Sequence, residues 1–272
     1  MKFDSWRRLK SVEKEFLKSL YKLSDMFVKI ARTYGNDQQR YQEIMKEFQE
    51  SEQYERYINS AVKRMITPLH VRREAAKKAT KGTYLYRVLM DELRQGSFRI
   101  IQNQMIENVS LIKTLPEDVS EKVVHDIAEA SLKGMRAESI EKLIINRTRE
   151  HSRASARLIA RTETAKTQSA LTKARCEQLD LRWYVWRTAL DGNRVRKSHR
   201  LMEGVIVNWD NPPSPEELAG EKSVGNYHAG NIWNCRCYSE PLLEIDDVKW
   251  PHKVYLNGQI RMLGKREFEQ IM

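Results

Sequence analysis

Trp183-Tyr184-Val185-Trp186-Arg187-Thr188 divides this chain in two. Its aromatic and β-branched residues read as a strand, with Asp191-Gly192-Asn193 as the turn behind it. Before about residue 180 there are two prolines, four glycines and one tryptophan; after it come five prolines, seven glycines and five tryptophans. That shift predicts a long helical region followed by a loop-rich part that contains strands.

On the N-terminal side, Leu9, Val12, Phe16, Leu20, Leu23, Phe27 and Ile30 recur every three or four positions, as on one stripe of a helix that ends at Tyr34-Gly35-Asn36-Asp37. Tyr41, Ile44, Met45, Phe48, Ile58, Val62 and Ile66 predict a second helix that stops at Thr67-Pro68, and the two stripes could pair as a hairpin. A third helix is expected from Thr83 to about Lys113, with Gly96 as its weak point. Thr114-Leu115-Pro116-Glu117 reads as a capping box opening a fourth, which carries Val119, Val123, Ile127 and Leu132 to Gly134. Another begins near Glu138. Apolar stripes of this length usually need a partner, so whether these helices fold alone is not set by the sequence.

Ser152 to Leu179 is rich in alanine and predicts a narrow helix that packs closely. Within it Glu163 has Lys166 three positions on, which reads as a solvated helix face. On the C-terminal side, Gly204-Val205-Ile206-Val207 reads as a second strand. A polar excursion leads to Ile232-Trp233-Asn234-Cys235-Arg236-Cys237-Tyr238, and Asn257-Gly258 between Val254-Tyr255-Leu256 and Gln259-Ile260-Arg261 is a hairpin signal. The fold class is therefore α+β: an elongated helical N-terminal region, then a compact domain with helices packed on a small antiparallel sheet.

The chain has 272 residues, 48 Lys+Arg against 37 Asp+Glu, and a net charge of +11. A surplus of this size suggests an anionic neighbour. It is unevenly spread: residues 51–100 carry eleven basic and five acidic side chains, 151–200 twelve and four, and 201–250 three and nine. Lys63, Arg64, Arg72, Arg73, Lys77, Lys78 and Lys81, opposed only by Glu74, could meet nucleic-acid phosphates or an acidic protein, and a solvated face is as common. No apolar run is long enough to span a bilayer and the N-terminus lacks a signal-peptide core, so a cytoplasmic protein, or part of an assembly made there, is expected. Three cysteines, two of them one residue apart, fit a reducing compartment.

His199, His228, Cys235 and Cys237 are the residue types of a tetrahedral zinc site and could hold a structural zinc. The same types serve equally as packed strand cysteines and hydrogen-bonded loop histidines. Asp191, Arg194, Arg196 and His199 place acid, cation and base within nine residues, enough for hydrolysis if a metal joins them. A structural turn is the simpler reading, because no paired carboxylates, nucleophile elbow or phosphate-binding glycine loop accompanies the run.

Taken in order, Ile159-Ala160-Arg161-Thr162-Glu163, Trp186-Arg187-Thr188, Asp191, Arg194-Val195-Arg196-Lys197-Ser198-His199, Gly204 and Asn234-Cys235-Arg236-Cys237 resemble the phage Mu protein F-like head morphogenesis family over about residues 115–245. The resemblance implies a minor capsid protein of tailed bacteriophages. Such a protein would be made in the host cytoplasm and would lie inside the head near the packaged DNA. It would be associated with the portal and with scaffold or major capsid proteins, without a membrane partner. It implies no enzyme; the 35 residues after Cys237 leave room for a hairpin and a short helix. On this reading 1–114 is a helical region for portal, partner or non-specific double-stranded DNA contact, 115–245 the family domain and 246–272 the terminal hairpin and helix. His199, His228, Cys235 and Cys237 would form the domain's structural centre, Asp191 and Arg194 would orient the loop, and Arg161 and Glu163 would fix the helix against it. Trp186, Gly204, Asn234 and Arg236 complete the motif. The rival functions are a metal-dependent hydrolase using Asp191, His199 and His228, and a free nucleic-acid-binding protein.

Overall fold

A computed structural model describes residues 10–79, 97–132, 137–189 and 195–272. The helices are α1 (Lys10–Tyr34), α2 (Gln38–Glu50), α3 (Glu52–Ala79), α4 (Ser97–Lys113), α5 (Leu115–Leu132) and α6 (Ala137–Gln178). They are followed by β1 (Trp183–Arg187), α7 (Lys197–Leu201), β2 (Ile206–Asn208), α8 (Pro215–Leu218), β3 (Tyr238–Pro241), a 3-10 turn (Ile245–Asp247), β4 (His252–Leu256), β5 (Gln259–Leu263) and α9 (Lys265–Glu269). The chain forms two compact units, one from residues 10–68 and 102–160, the other centred on 161–272.

The helical unit buries the stripes. Val12, Phe16, Leu20, Leu23 and Phe27 of α1, Tyr41 and Met45 of α2, and Tyr54, Ile58, Val62 and Ile66 of α3 are all buried, together with Ile112, Val119, Val123, Ile127 and Ile144. The stripes cover one another and are also covered by α5 and the first part of α6, although Leu132 at the end of α5 is exposed. Polar groups inside are paired, with Tyr41 Oη 2.8 Å from Thr148 Oγ1, Ser24 Oγ 2.6 Å from Ser152 Oγ, and the Tyr54 hydroxyl donating to the Ile112 carbonyl at 2.6 Å.

Three local expectations differ. The second helix is two, because Ser51 takes an extended conformation and its hydroxyl accepts from the Tyr54 amide at 3.2 Å, opening α3. Pro68 does not end α3, which continues to Ala79; proline removes a single donor, a loss that a helix with its apolar face already buried tolerates. Thr114 does not close a capping box. Its hydroxyl donates to Leu111 O and Asp118 Oδ2, while the Glu117 amide is met by Gln49 Oε1 of α2 at 3.1 Å. The third helix is described only from Ser97, and its expected start, with Leu85, Val88 and Leu89, lies outside the described residues, as does Gly134.

In the second unit the five strands run in the order β3-β1-β2-β4-β5. Most pairs are antiparallel, as expected, but β2 and β4 are parallel through Ile206 and Val254, which makes the sheet mixed. The β4–β5 hairpin turns at Asn257-Gly258, both with positive φ, the conformation a two-residue hairpin needs. Alternation along β1 sends Tyr184 and Trp186 to one face of the sheet and Trp183 and Val185 to the other. The first face packs on Met202, Trp209, Tyr227, Cys235, Cys237 and Cys176. The second is sealed by Val254, Leu242 and Phe268 of α9, whose ring lies 5.0 Å from that of Trp183. Both faces of a five-residue strand are thus inside, and the strand's run of large apolar residues follows from that.

Candidate functional site

Three of the four zinc-type residues converge. His199 of α7 points Nδ1 at Cys235 Sγ, 3.6 Å away, and at Cys237 Sγ, 3.3 Å away. Their ligand atoms lie within 4.8 Å of one another and all three side chains are buried. The Cys237 amide donates to Cys235 Sγ at 3.4 Å, so the Cys-x-Cys segment folds around its own first sulfur. Hydrogen bonding from Cys237, helped by His199, holds the Cys235 thiol well below its ordinary range despite burial. The bond to Cys235, reinforced by burial, pushes Cys237 up.

Behind the imidazole is a polar chain that the sequence reading missed. His199 Nε2 is 2.9 Å from the Tyr227 hydroxyl, which donates to both oxygens of Glu216 at 2.8 Å. Ser198 donates to the same carboxylate at 3.2 Å. Burial, then the Glu216 charge, pushes the Tyr227 phenol up, so its proton stays in place. Glu216 sits in the helix α8 that opens the polar excursion, and Tyr227 at its end. Neither carries a spacing signal that would have marked it.

His228 does not join the three. Its Nδ1 is 3.2 Å from the Tyr184 hydroxyl and its ring packs edge-on against Trp209 at 4.9 Å. Burial, with the Lys173 charge adding to it, pushes His228 down to about 4, leaving the ring neutral. The two histidines therefore have separate partners.

The motif residues on α6 do lock a loop. Arg161 Nη1 donates to Asn234 Oδ1 at 2.6 Å, and Thr162 Oγ1 accepts from the Asn234 amide at 2.9 Å. Asn234 has φ +57, a left-handed conformation that asparagine adopts more readily than most residues. Arg196 donates to the Trp233 carbonyl at 3.0 Å from the other side. Gly230 packs so tightly that an added Cβ would lie 3.0 Å from the Cys237 carbonyl and 3.4 Å from that of Ala165. The solvated reading of Glu163 is corrected: it is 3% exposed, with Lys166 3.5 Å away, because this part of α6 is covered rather than free.

Trp186 is fully buried under this cluster, its ring 5.8 Å from that of His199. Next to it Arg187 is clamped by Glu240 and Glu203, and Thr188 gives Glu203 both its amide and its hydroxyl at 2.6 Å. Gly204 has φ +76, and its carbonyl is met by His252 Nε2 at 2.7 Å. Arg236 is half-buried between the two cysteines. Asp191 and Arg194 lie outside the described residues. Of the basic stretch, Lys63 and Arg64 are exposed on α3, Arg72, Arg73, Lys77 and Lys78 lie on the same helix, and Lys81 is outside the described residues. Among the described residues no helix is long and apolar enough to cross a membrane.

The matched sequence coincides with this structure. Residues 121–240 match the family described as Phage Mu protein F like protein. An uncharacterized protein of Haemophilus influenzae (strain Rd KW20) is 32% identical over 142 residues, which is 52% of this chain and 29% of that protein. Minor head protein GP7 of Bacillus phage SPP1 is 31% identical over 147 residues, 50% of this chain and 47% of that protein. The chain thus matches less than half the length of either curated relative. No solved structure gives a significant match. From α5 through the Cys-x-Cys segment into β3, the sequence is thus similar to the phage Mu protein F-like family, and one of the relatives it matches is a bacteriophage minor head protein.

Proposed function

We propose that this protein acts in head assembly as a minor capsid protein bound to the portal, inside the phage head and near the packaged DNA. The observation that carries the reading is the family match over residues 121–240. In that segment the described motif residues Arg161, Thr162, Asn234, Cys235 and Cys237 act on one another rather than on an open cleft. A set of residues that hold a loop on a helix serves assembly more directly than turnover. The basic charge supports a second part of the reading. Exposed Lys63 and Arg64, with Arg72, Arg73, Lys77 and Lys78 farther along α3, supply cations for an anionic partner, either phosphate backbone or acidic protein. Residues 1–114 would then meet portal, scaffold or DNA, and 115–245 would form the head-morphogenesis domain with 246–272 as its terminal hairpin and helix.

Co-expression with a portal protein from the same genome, followed by a pull-down at low and high salt, tests the reading. Capture at both salt concentrations is expected for an interface with an apolar component, and capture at low salt alone assigns it to the basic helix. Absence of capture at either concentration, together with a salt-sensitive shift of non-specific DNA, would overturn portal association and leave a free DNA-binding protein.

A further inference from the structure

We infer that His199, Cys235 and Cys237 form a three-residue zinc site in which His228 has no part. The first ground is geometry. Zinc bonds sulfur at about 2.3 Å and imidazole nitrogen at about 2.0 to 2.1 Å, so a tetrahedral centre sets each N–S edge near roughly 3.5 Å. The two edges here are 3.6 and 3.3 Å.

The second ground is the proton count. Tyr227 has one hydroxyl proton, and it goes to the Glu216 carboxylate, which Ser198 also serves. The Tyr227 oxygen can therefore only accept from His199, which places the imidazole proton on Nε2. In the neutral ring this leaves the lone pair on Nδ1, and it is this atom that faces both sulfurs. A divalent cation between the three would be shared by this nitrogen and two thiolates. A ligating imidazole held through its other nitrogen by a hydroxyl and a carboxylate is the support such ligands ordinarily have.

The third ground is the surroundings of the sulfurs. The Cys237 amide donates to Cys235 Sγ, the kind of bond a thiolate takes. Two thiolates and one neutral imidazole carry two negative charges, which match a divalent ion and favour zinc among the common ones. The fourth position takes water or another donor. The ion would tie α7 to the segment entering β3 across the buried Trp186, in a unit whose residues 209–237 contain one four-residue helix and no strand. Zinc-binding free energy there is folding free energy.

The full chain, expressed in zinc-supplemented medium and purified without chelator, is expected to hold one zinc per chain. X-ray absorption should show two sulfur ligands and an imidazole. Cys235→Ser and Cys237→Ser should each lose the metal, while Cys176→Ser and His228→Gln should keep it. Should the cysteine variants fail to fold, the wild-type chain stripped of metal and loaded with cobalt(II) must show thiolate-to-cobalt charge-transfer bands. Metal-free wild-type protein without cobalt bands would overturn the inference. So would iron or copper in place of zinc, or zinc that requires His228.

Discussion

In the helical unit Val12, Phe16, Leu20, Leu23 and Phe27 repeat one kind of contact along a helix face, whereas in the β-containing unit almost no contact recurs. There, Arg161 and Thr162 hold Asn234, Glu203 holds Thr188, Tyr227 holds His199, and Gly230 admits a strand entry against α6. A repeated contact can lose one member and keep the rest. A contact that occurs once, and on which a loop of no regular structure depends, has no substitute. The two units should therefore differ in how sharply they respond to substitution, pH and metal.

The largest effect expected is from Trp186→Ala, which empties the space under the His199 cluster and should cost about 3–5 kcal/mol by chemical denaturation. Hydrogen exchange should show protection lost across 183–241 and kept in α1 and α2; equal loss in both would break the comparison. Leu20→Ala, fully buried in the helical unit, should cost about 2–5 kcal/mol, with the loss confined to residues 10–68 and 102–160.

Acid should separate the units next. The unfolded chain protonates His228 near its ordinary 6.5 and the folded chain only near 4, so the unfolded state binds more protons between those values. Stability is then lost as pH falls from about 6.5 to about 4, by at most about 3 kcal/mol. Thermal melts of wild-type and His228→Gln chains across that range should differ in slope, and parallel curves would remove His228 as the cause.

Smaller effects sharpen the contrast. Gly230→Ala meets a positive φ of +86 and a backbone oxygen at 3.0 Å, and should cost about 1–3 kcal/mol. Thr162→Val strands the Asn234 amide and should cost about 1–2 kcal/mol by urea denaturation. In the helical unit, Arg40→Ala removes exposed pairs with Glu43 and Glu47 and should leave the urea midpoint unchanged.

Legibility followed the same division. The stripes of α1, α2 and α3 were readable because a helix repeats its burial every three or four residues, and the β4–β5 turn because Asn-Gly has few other uses. The Ser51 break and the passage of α3 through Pro68 were not, since each depends on what covers the helix rather than on the residue itself. His199, Cys235 and Cys237 were visible as residue types. Their separation from His228 was not, because nothing in the spacing says that Tyr184 and Trp209 take one histidine while Tyr227 and Glu216 take the other. Glu163 was misjudged because helical spacing marks a face without telling whether that face is covered.

By itself the sequence determined the helical first part, the change of period at Trp183, the Asn-Gly hairpin and the family resemblance, all of which depend on residues near one another along the chain or on a motif order. Only the tertiary structure decided which polar groups meet. The Nδ1 of His199 facing two sulfurs, the Asn234 lock on α6 and the sealing of the second sheet face by Phe268 join residues up to 85 positions apart, from Trp183 to Phe268. Such contacts are selected by packing and proton count in three dimensions, and neither quantity has a period along a chain.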